Sequence, residues 1–280
     1  MVQLLLILIC LLVGLTAGLI GSIVGLGGGV ILVPVLLILY EISSLFDWAT
    51  SSTVAALSLV VIVFTAASST YSYTKQKRVD YKIGIYFLAG SLPAGLIGAW
   101  LNQFVNTEVF SVSLGFVMLA IFIIFLLRKY YQSKDTSRRK PKENHIVRNY
   151  TLHDIDYEYS FSPIGAAAVS FVVGLLSGFF GIGGGSLMVP AMILLYHIPT
   201  QIAAATSMFL ILVTSFTSSL MHISLGHIEW QYVWPFIPGA WLGGMLGAKI
   251  SSHLSNNAVE RMLKIVLLII GIRLIWQGLL

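Results

Sequence analysis

Between Glu158 and Glu229 the chain carries no Asp, Glu, Lys or Arg, and the opening run from Met1 to Tyr40 carries none either. A membrane-spanning helix needs about 20 largely apolar residues, so runs of this length prescribe helices in a bilayer before any other feature is considered. Further uncharged stretches cover Trp48 to Thr74, Ile83 to Thr107, Val109 to Leu127 and Trp230 to Ala248. A last helix is expected over about Ala258 to Gln277, with Arg261, Lys264 and Arg273 near its ends. The charged content of 10% agrees, since soluble domains carry roughly 25%. The start lacks a basic n-region and its apolar run far exceeds the roughly 7 to 15 residues of a signal-peptide core, so it is expected to be a mature helix. Cys10 is the single cysteine, which excludes an intrachain disulfide and a cysteine metal site.

Two of the apolar runs are interrupted in the same way. GSIVGLGGGVILVP, Gly21 to Pro34, and GFFGIGGGSLMVP, Gly178 to Pro190, each place glycines and a proline where a helix should continue. Gly25 to Gly29 falls on Gly181 to Gly185 at 181 − 25 = 156, and the same offset carries Val33-Pro34 onto Val189-Pro190 and Ala49-Thr50-Ser51 onto Ala205-Thr206-Ser207. Further on, Gly90, Gly95, Gly98 and Ala99 fall on Gly239, Gly244, Gly247 and Ala248 at 239 − 90 = 149. A seven-residue difference in the intervening loop accounts for the change of offset. The chain therefore divides into a first repeat at 1–128, a charged linker at 129–159 and a second repeat at 160–280. The linker is expected as a partly flexible polar loop.

Basic residues fix orientation. Lys and Arg cluster between Lys75 and Lys82, between Arg128 and Arg148, and at Lys249, Arg261 and Lys264, whereas Glu41 to Thr50, Asn102 to Glu108 and Ser224 to Gln231 have none. The positive-inside rule makes the first group cytoplasmic, including the central linker. Trp48, Trp100, Trp230, Trp234 and Trp276 fall near the opposite ends, as an interfacial belt requires. Equivalent loops of the halves have opposite charge character, so the halves are expected in inverted orientation. The expected fold is an all-α polytopic membrane protein, with eight full-length transmembrane helices plus two short broken or re-entrant helices, Val30 to Tyr40 and Ser186 to His197. Inverted repeats of this kind bind substrate near the midplane, at broken helices. The net charge of +5 follows loop parity and excludes a nucleic-acid footprint.

Unwound backbone at membrane depth is tolerated only where protein surrounds it or it lines a cavity. Glycine permits positive φ and close approach of a ligand. A helix that starts after such a break aims free N–H groups and its positive dipole end at it, which suits an oxyanion. The candidate substrate-binding residues are therefore Gly25, Gly27, Gly28 and Gly29, their counterparts Gly181, Gly183, Gly184 and Gly185, the adjoining Ser186, and the hydroxyls of Thr50, Ser51, Thr206 and Ser207. Each has a purely structural alternative: glycines also let helices approach, and hydroxyls also cap helices. Ser22, Gln201 and His222 are weaker candidates, His222 being read as interfacial. The glycines at 90, 95, 98, 239, 243, 244 and 247 are read as helix contacts. With no Ser/His pair at readable spacing, no paired acids and no HExxH motif, no catalytic residue, metal site or cofactor is expected.

GLGGGVILVP with its following Ala-Thr-Ser, and GIGGGSLMVP followed by AAATSMFL, resemble the sulfite exporter TauE/SafE family of membrane permeases over nearly the whole chain except the linker. The resemblance implies movement of sulfur-containing anions such as sulfite, organosulfonates or thiosulfate across the plasma membrane. Glu41, Asp47, Glu108 and Glu229 all fall at expected outer loops, so no buried proton relay is visible. Export down the membrane potential ranks first, and coupled uptake of another small organic anion, or an anion channel, second. Expected partners are the small anion and the lipid bilayer, with a homo-oligomer allowed.

Overall fold

A computed structural model describes residues 2–104, 107–132, 146–152, 155–183 and 187–279. The first part of the chain forms α1 (Val2–Val24), α2 (Gly29–Ile42), α3 (Ser51–Lys75), α4 (Tyr81–Leu101) and α5 (Thr107–Gln132). After strands β1 (Ile146–Leu152) and β2 (Ile155–Phe161) come α6 (Pro163–Phe180), α7 (Met188–Tyr196), α8 (Thr200–Ser224), the single turn α9 (Trp230–Val233), α10 (Phe236–Ser251) and α11 (Asn256–Leu279). Helix starts follow local chemistry. The Asp80 carboxylate accepts from the N–H groups of Lys82 and Ile83 at 3.1 and 3.4 Å to cap α4, and Ser162 caps α6 with Pro163 in the first turn.

Among the described residues, five helices are long and apolar enough to cross a membrane, over Leu4–Val24, Ser51–Lys75, Tyr81–Phe104, Pro163–Phe180 and Thr200–Ser224. α10 has only 16 residues, and α11 carries Glu260, Arg261, Lys264 and Arg273. Large apolar side chains stand exposed around the outside, Leu4, Leu8, Ile85, Phe116, Val172 and Ile269 among them. α3 and α8 form the centre, with most of their residues buried. α1 packs along α10 and α6 along α4; α3 also meets α10 and α8 meets α4; α3 meets α8 and α5 meets α11.

Glycine makes the tightest of these contacts. A Cβ on Gly239, Gly243 or Gly247 would lie 2.1, 2.2 or 2.3 Å from the carbonyl oxygens of Leu11, Leu15 and Leu19, and one on Gly90 or Gly98 would lie 2.0 or 2.1 Å from those of Ala167 and Leu175. These glycines are backbone contacts between helices, as expected of small residues at membrane helix interfaces.

Two expectations change. The second part of the linker is an antiparallel β-hairpin, with Arg148 opposite Tyr159 and Tyr150 opposite Tyr157, so the chain is mostly helical rather than all-α. Its alternation is period two: Arg148, Tyr150 and Leu152 are the more buried set on β1, and Tyr159 and Phe161 on β2. The change of offset between the halves also lies elsewhere. α3 and α8 both have 25 residues and correspond at 200 − 51 = 149, so the seven extra residues lie between Gly29 and Ser51. The two helices end alike: Arg78 N–H reaches the Tyr73 carbonyl and His227 N–H reaches that of His222, both at 3.1 Å. Lys77 and Gly226, again 149 apart, both have positive φ, 53° and 71°.

Candidate functional site

The break between α1 and α2 is a run of left-handed glycines, with φ of 82° at Gly25, 75° at Gly27 and 90° at Gly28. In the break after α6, Gly181 and Gly183 have φ of 65° and 82°. L-residues with a side chain strongly disfavour this region, and space forbids one here too. A Cβ on Gly25 would sit 2.5 Å from Ala204 Cα, and one on Gly181 would sit 2.4 Å from Ala55 Cα. Each break therefore presses on the central helix of the other half. Equivalent turns close both: Gly25 N–H to Ser22 and Leu26 N–H to Gly21 in the first, Gly181 N–H to Gly178 and Ile182 N–H to Ser177 in the second.

Serines hold the breaks from across the molecule. Ser207 donates to the Gly25 carbonyl at 2.6 Å, and Ser58, its equivalent 149 residues earlier, donates to the Gly181 carbonyl. Both serines are fully buried. The breaks then meet at the centre of the bundle. Positions for a Cβ on Gly27 and on Gly183 both lie about 3 Å from Ile211 and Ile62, at 2.9 and 3.2 Å for Gly27 and at 3.2 and 3.3 Å for Gly183. One on Gly29 would be 2.8 Å from Ile182 Cα. At the start of α2 the Gly28 carbonyl accepts from Ile31 and Leu32 at 3.0 and 2.8 Å. The N–H groups of Gly28, Gly29 and Val30 find no acceptor among the described residues, as the first turn of any helix requires unless something caps it. The second break differs in one respect: the Ser177 hydroxyl donates to the Gly183 carbonyl, where the first half has Gly21 packed against Gly28.

Gly25, Gly27, Gly28, Gly29, Gly181 and Gly183 thus come together, and Ser207 joins them. Gly184, Gly185 and Ser186 lie outside the described residues. Thr206 is turned elsewhere, its hydroxyl accepting from the Asp80 N–H at 3.0 Å. Thr50 is exposed at the start of α3, 3.0 Å from Thr53 Oγ1, and Ser51 stands two helical turns before Ser58. Gln201 is tied down at the start of α8, where its N–H meets Asn256 Oδ1 at 2.9 Å. Ser22 accepts from Ser69 at 2.8 Å. His222 is fully buried, with Nδ1 3.2 Å from His227 Nδ1. The residues missed at the breaks are Ser58, Ile62 and Ile211, and their signal is the offset of 149: it aligns Ala55-Ala56-Leu57-Ser58 with Ala204-Ala205-Thr206-Ser207.

Among the described residues no group of three or more His, Cys, Asp or Glu is placed to hold a metal ion. What the breaks offer is backbone: unpaired N–H groups at the start of α2, carbonyls steadied by serines, and apolar walls.

Comparison with known proteins places this chain in a family. The family model described as sulfite exporter TauE/SafE matches residues 10–274. A probable membrane transporter protein of Bacillus subtilis, YunE, is 41% identical over 271 residues, covering 96% of this chain and 97% of its own. A probable membrane transporter protein of Xylella fastidiosa is 23% identical, covering 95% of this chain and 92% of its own. A sulfite exporter TauE/SafE family protein of Arabidopsis thaliana is 42% identical over 82 residues, 29% of this chain and 18% of its own. No solved structure matches. With a family match over almost the full chain and a relative this similar end to end, the chain belongs to the sulfite exporter TauE/SafE family of membrane transporters.

Proposed function

We propose that the chain carries a small sulfur-containing anion, such as sulfite or an organosulfonate, out across the plasma membrane by alternating access around the two Gly-rich breaks. The observation that carries this is the meeting of both breaks between Ile62 and Ile211, with the N–H groups that open α2 lacking an acceptor there. Three backbone N–H groups at a helix start form an anion site without any charged side chain. Such a site holds a desolvated oxyanion weakly enough to release it.

Two repeats in inverted orientation, residues 1–128 and 160–280, provide the moving parts. Support comes from the packing: exchanging the halves maps the α1/α10 contact onto α6/α4 and α3/α10 onto α8/α4, and maps α3/α8 and α5/α11 onto themselves. In this reading α5, α10 and α11 join the five long apolar helices as spans, giving eight, and α2 and α7 are the short broken ones. The basic segments, including the central hairpin, lie on the cytoplasmic side. An anion leaving a cell gains about 2.3 kcal/mol per charge per 100 mV, so export needs no coupled ion.

Flux of radiolabelled sulfite from proteoliposomes tests this. Saturable efflux that accelerates with an inside-negative potential and is lost in Gly28→Leu supports the carrier. Efflux that ignores the potential removes the uniport, unitary currents without saturation indicate a channel, and no flux of any sulfur anion removes the substrate assignment.

A further inference from the structure

Among the buried polar groups that the fold leaves unsatisfied in the described residues, the guanidinium of Arg78 is the one that carries a permanent charge. Arg78 stands in the turn after α3 and its side chain has no solvent exposure. Its Nη1 donates to Gln76 Oε1 at 3.2 Å, and the guanidinium carbon lies 5.0 Å from the centroid of the buried Tyr73 ring. Its Nε and Nη2 have no hydrogen-bond partner among the described residues. The nearest acid in sequence, Asp80, is taken by Arg148 at 3.0 Å and by the Tyr159 hydroxyl at 2.6 Å. The hairpin closes the site from above, where the Tyr150 hydroxyl donates to the Lys77 carbonyl at 2.8 Å.

A buried charge without a counterion is among the costliest features a fold can keep. Arginine cannot shed its proton to escape that cost, although burial pushes its pKa down. The free atoms are also the telling ones. Nε–H and Nη2–H form one edge of the guanidinium, two parallel donors spaced to match two oxygens of a carboxylate, sulfonate or phosphate. We propose that Arg78 is an oxyanion-binding residue, holding a small sulfur oxyanion bidentately through Nε and Nη2 at the basic end of α3. The substrate class assumed rests on the carrier reading above.

Position supports the assignment. Tyr73, on whose ring Arg78 rests, donates its hydroxyl to the Ser22 carbonyl at 2.8 Å, three residues before the first break. The anion at Arg78 is therefore one ring away from the helix end that leads to the breaks. At the opposite end of the helix pair the equivalent positions are His222 and His227, and His222 Nε2 is likewise buried and unpartnered. A permanent cation at one end and imidazoles at the other give the path a direction. The lack of exposure at Arg78 favours a free solute over a lipid headgroup, which would bring its glycerol and chains.

The test is a thermal-shift titration of the full-length protein in lipid-free detergent with sulfite, methanesulfonate and, at equal ionic strength, chloride. The wild type is expected to be stabilised by the oxyanions and not by chloride. Arg78→Lys keeps the charge and loses the fork, so its half-saturating concentration should rise about tenfold or more, and Arg78→Gln should weaken the response further, to what the breaks alone supply. If Arg78→Lys titrates like the wild type, or if no oxyanion stabilises the wild type, the assignment is overturned. Stabilisation seen only on adding phosphatidylglycerol overturns it in favour of lipid. Sulfite flux in proteoliposomes keeps the two ideas separate: flux that survives in Arg78→Lys with unchanged binding leaves the carrier standing without this site, and absent flux removes the carrier whatever Arg78 binds. Should Arg78→Gln fail to fold, Arg78→Lys alone decides.

Discussion

The Ser207 hydroxyl donates to the Gly25 carbonyl across the two halves of the molecule at 2.6 Å, and Ser58 makes the equivalent bond to Gly181. Each bond satisfies a carbonyl that an interrupted helix leaves in an apolar interior, where an unpaired acceptor costs about 1–3 kcal/mol. Ser207→Ala and Ser58→Ala should each lower stability by that amount, read as a drop in melting temperature in detergent. Because the two breaks touch, the double variant should depart from additivity. A Ser207→Ala protein that melts with the wild type would show that the Gly25 carbonyl has another donor.

Those serines also show what the sequence held and what hid it. The doubled breaks, the short helices after them and the glycine contacts of α4 and α10 could be read directly, since glycine triplets and spaced glycines stand out in apolar sequence. Ser58 could not, because Ala49-Thr50-Ser51 offered a competing match to Ala205-Thr206-Ser207 at 156. A slip of seven residues is almost two full turns of an α-helix, so it preserves the face and changes only the height, by about 10 Å. Period alone cannot detect such an error. The packing detects it, because Gly25 lies against Ala204 and Gly181 against Ala55. The hairpin was hidden for another reason. Its inward positions include Arg148 and Tyr150, so its alternation is not one of apolar against polar, and charge density marked the whole segment as loop.

Lys77 has φ of 53° where its counterpart is Gly226. The side chain is strained there, by an amount that glycine relieves at about 0.5–1 kcal/mol net. Lys77→Gly should raise the melting temperature, and the bond from Tyr150 to the Lys77 carbonyl should persist because it involves backbone. A lower melting temperature would mean that the lysine side chain contributes more than its backbone strain costs.

Gly243 and Gly226 make a controlled pair. A Cβ on Gly243 would lie 2.2 Å from the Leu15 carbonyl, whereas one on Gly226 meets nothing within 4 Å. Gly243→Ala should force α1 and α10 apart, at about 1–3 kcal/mol or more, and broaden the size-exclusion peak. Gly226→Ala should cost only its backbone strain, about 1 kcal/mol, and elute as the wild type does.

The hairpin is fastened through Asp80, which binds Arg148 Nη2 at 3.0 Å and the Tyr159 hydroxyl at 2.6 Å while capping α4. The Asp80 carboxylate holds the Arg148 guanidinium above its usual pKa. Asp80→Asn removes the charge that Arg148 needs and should cost about 2 kcal/mol, less than a fully buried pair because Arg148 is partly exposed. Hydrogen exchange should then quicken in the backbone of Val147 to Leu152 and Asp156 to Ser160, with α3 and α8 unchanged. Equal protection in both proteins would mean that the apolar face of the hairpin, Leu152 and Phe161, suffices to dock it.

His222 and His227 face each other through Nδ1 at 3.2 Å, a distance that needs one proton between the rings and disfavours two. Burial lowers the pKa of His227, so between that value and the unfolded value of about 6.5 the unfolded chain binds more protons than the folded one. Stability then rises with pH across this window: its full contribution is present above about 6.5 and is lost as the pH falls toward the folded pKa. The melting temperature should therefore drop between pH 7.5 and 5.5, and His227→Gln should flatten the drop by removing the ring whose folded pKa is lowered. A wild-type protein that instead gains stability on acidification would show that the pair has acquired an acidic partner, and Glu229 would be the first to replace.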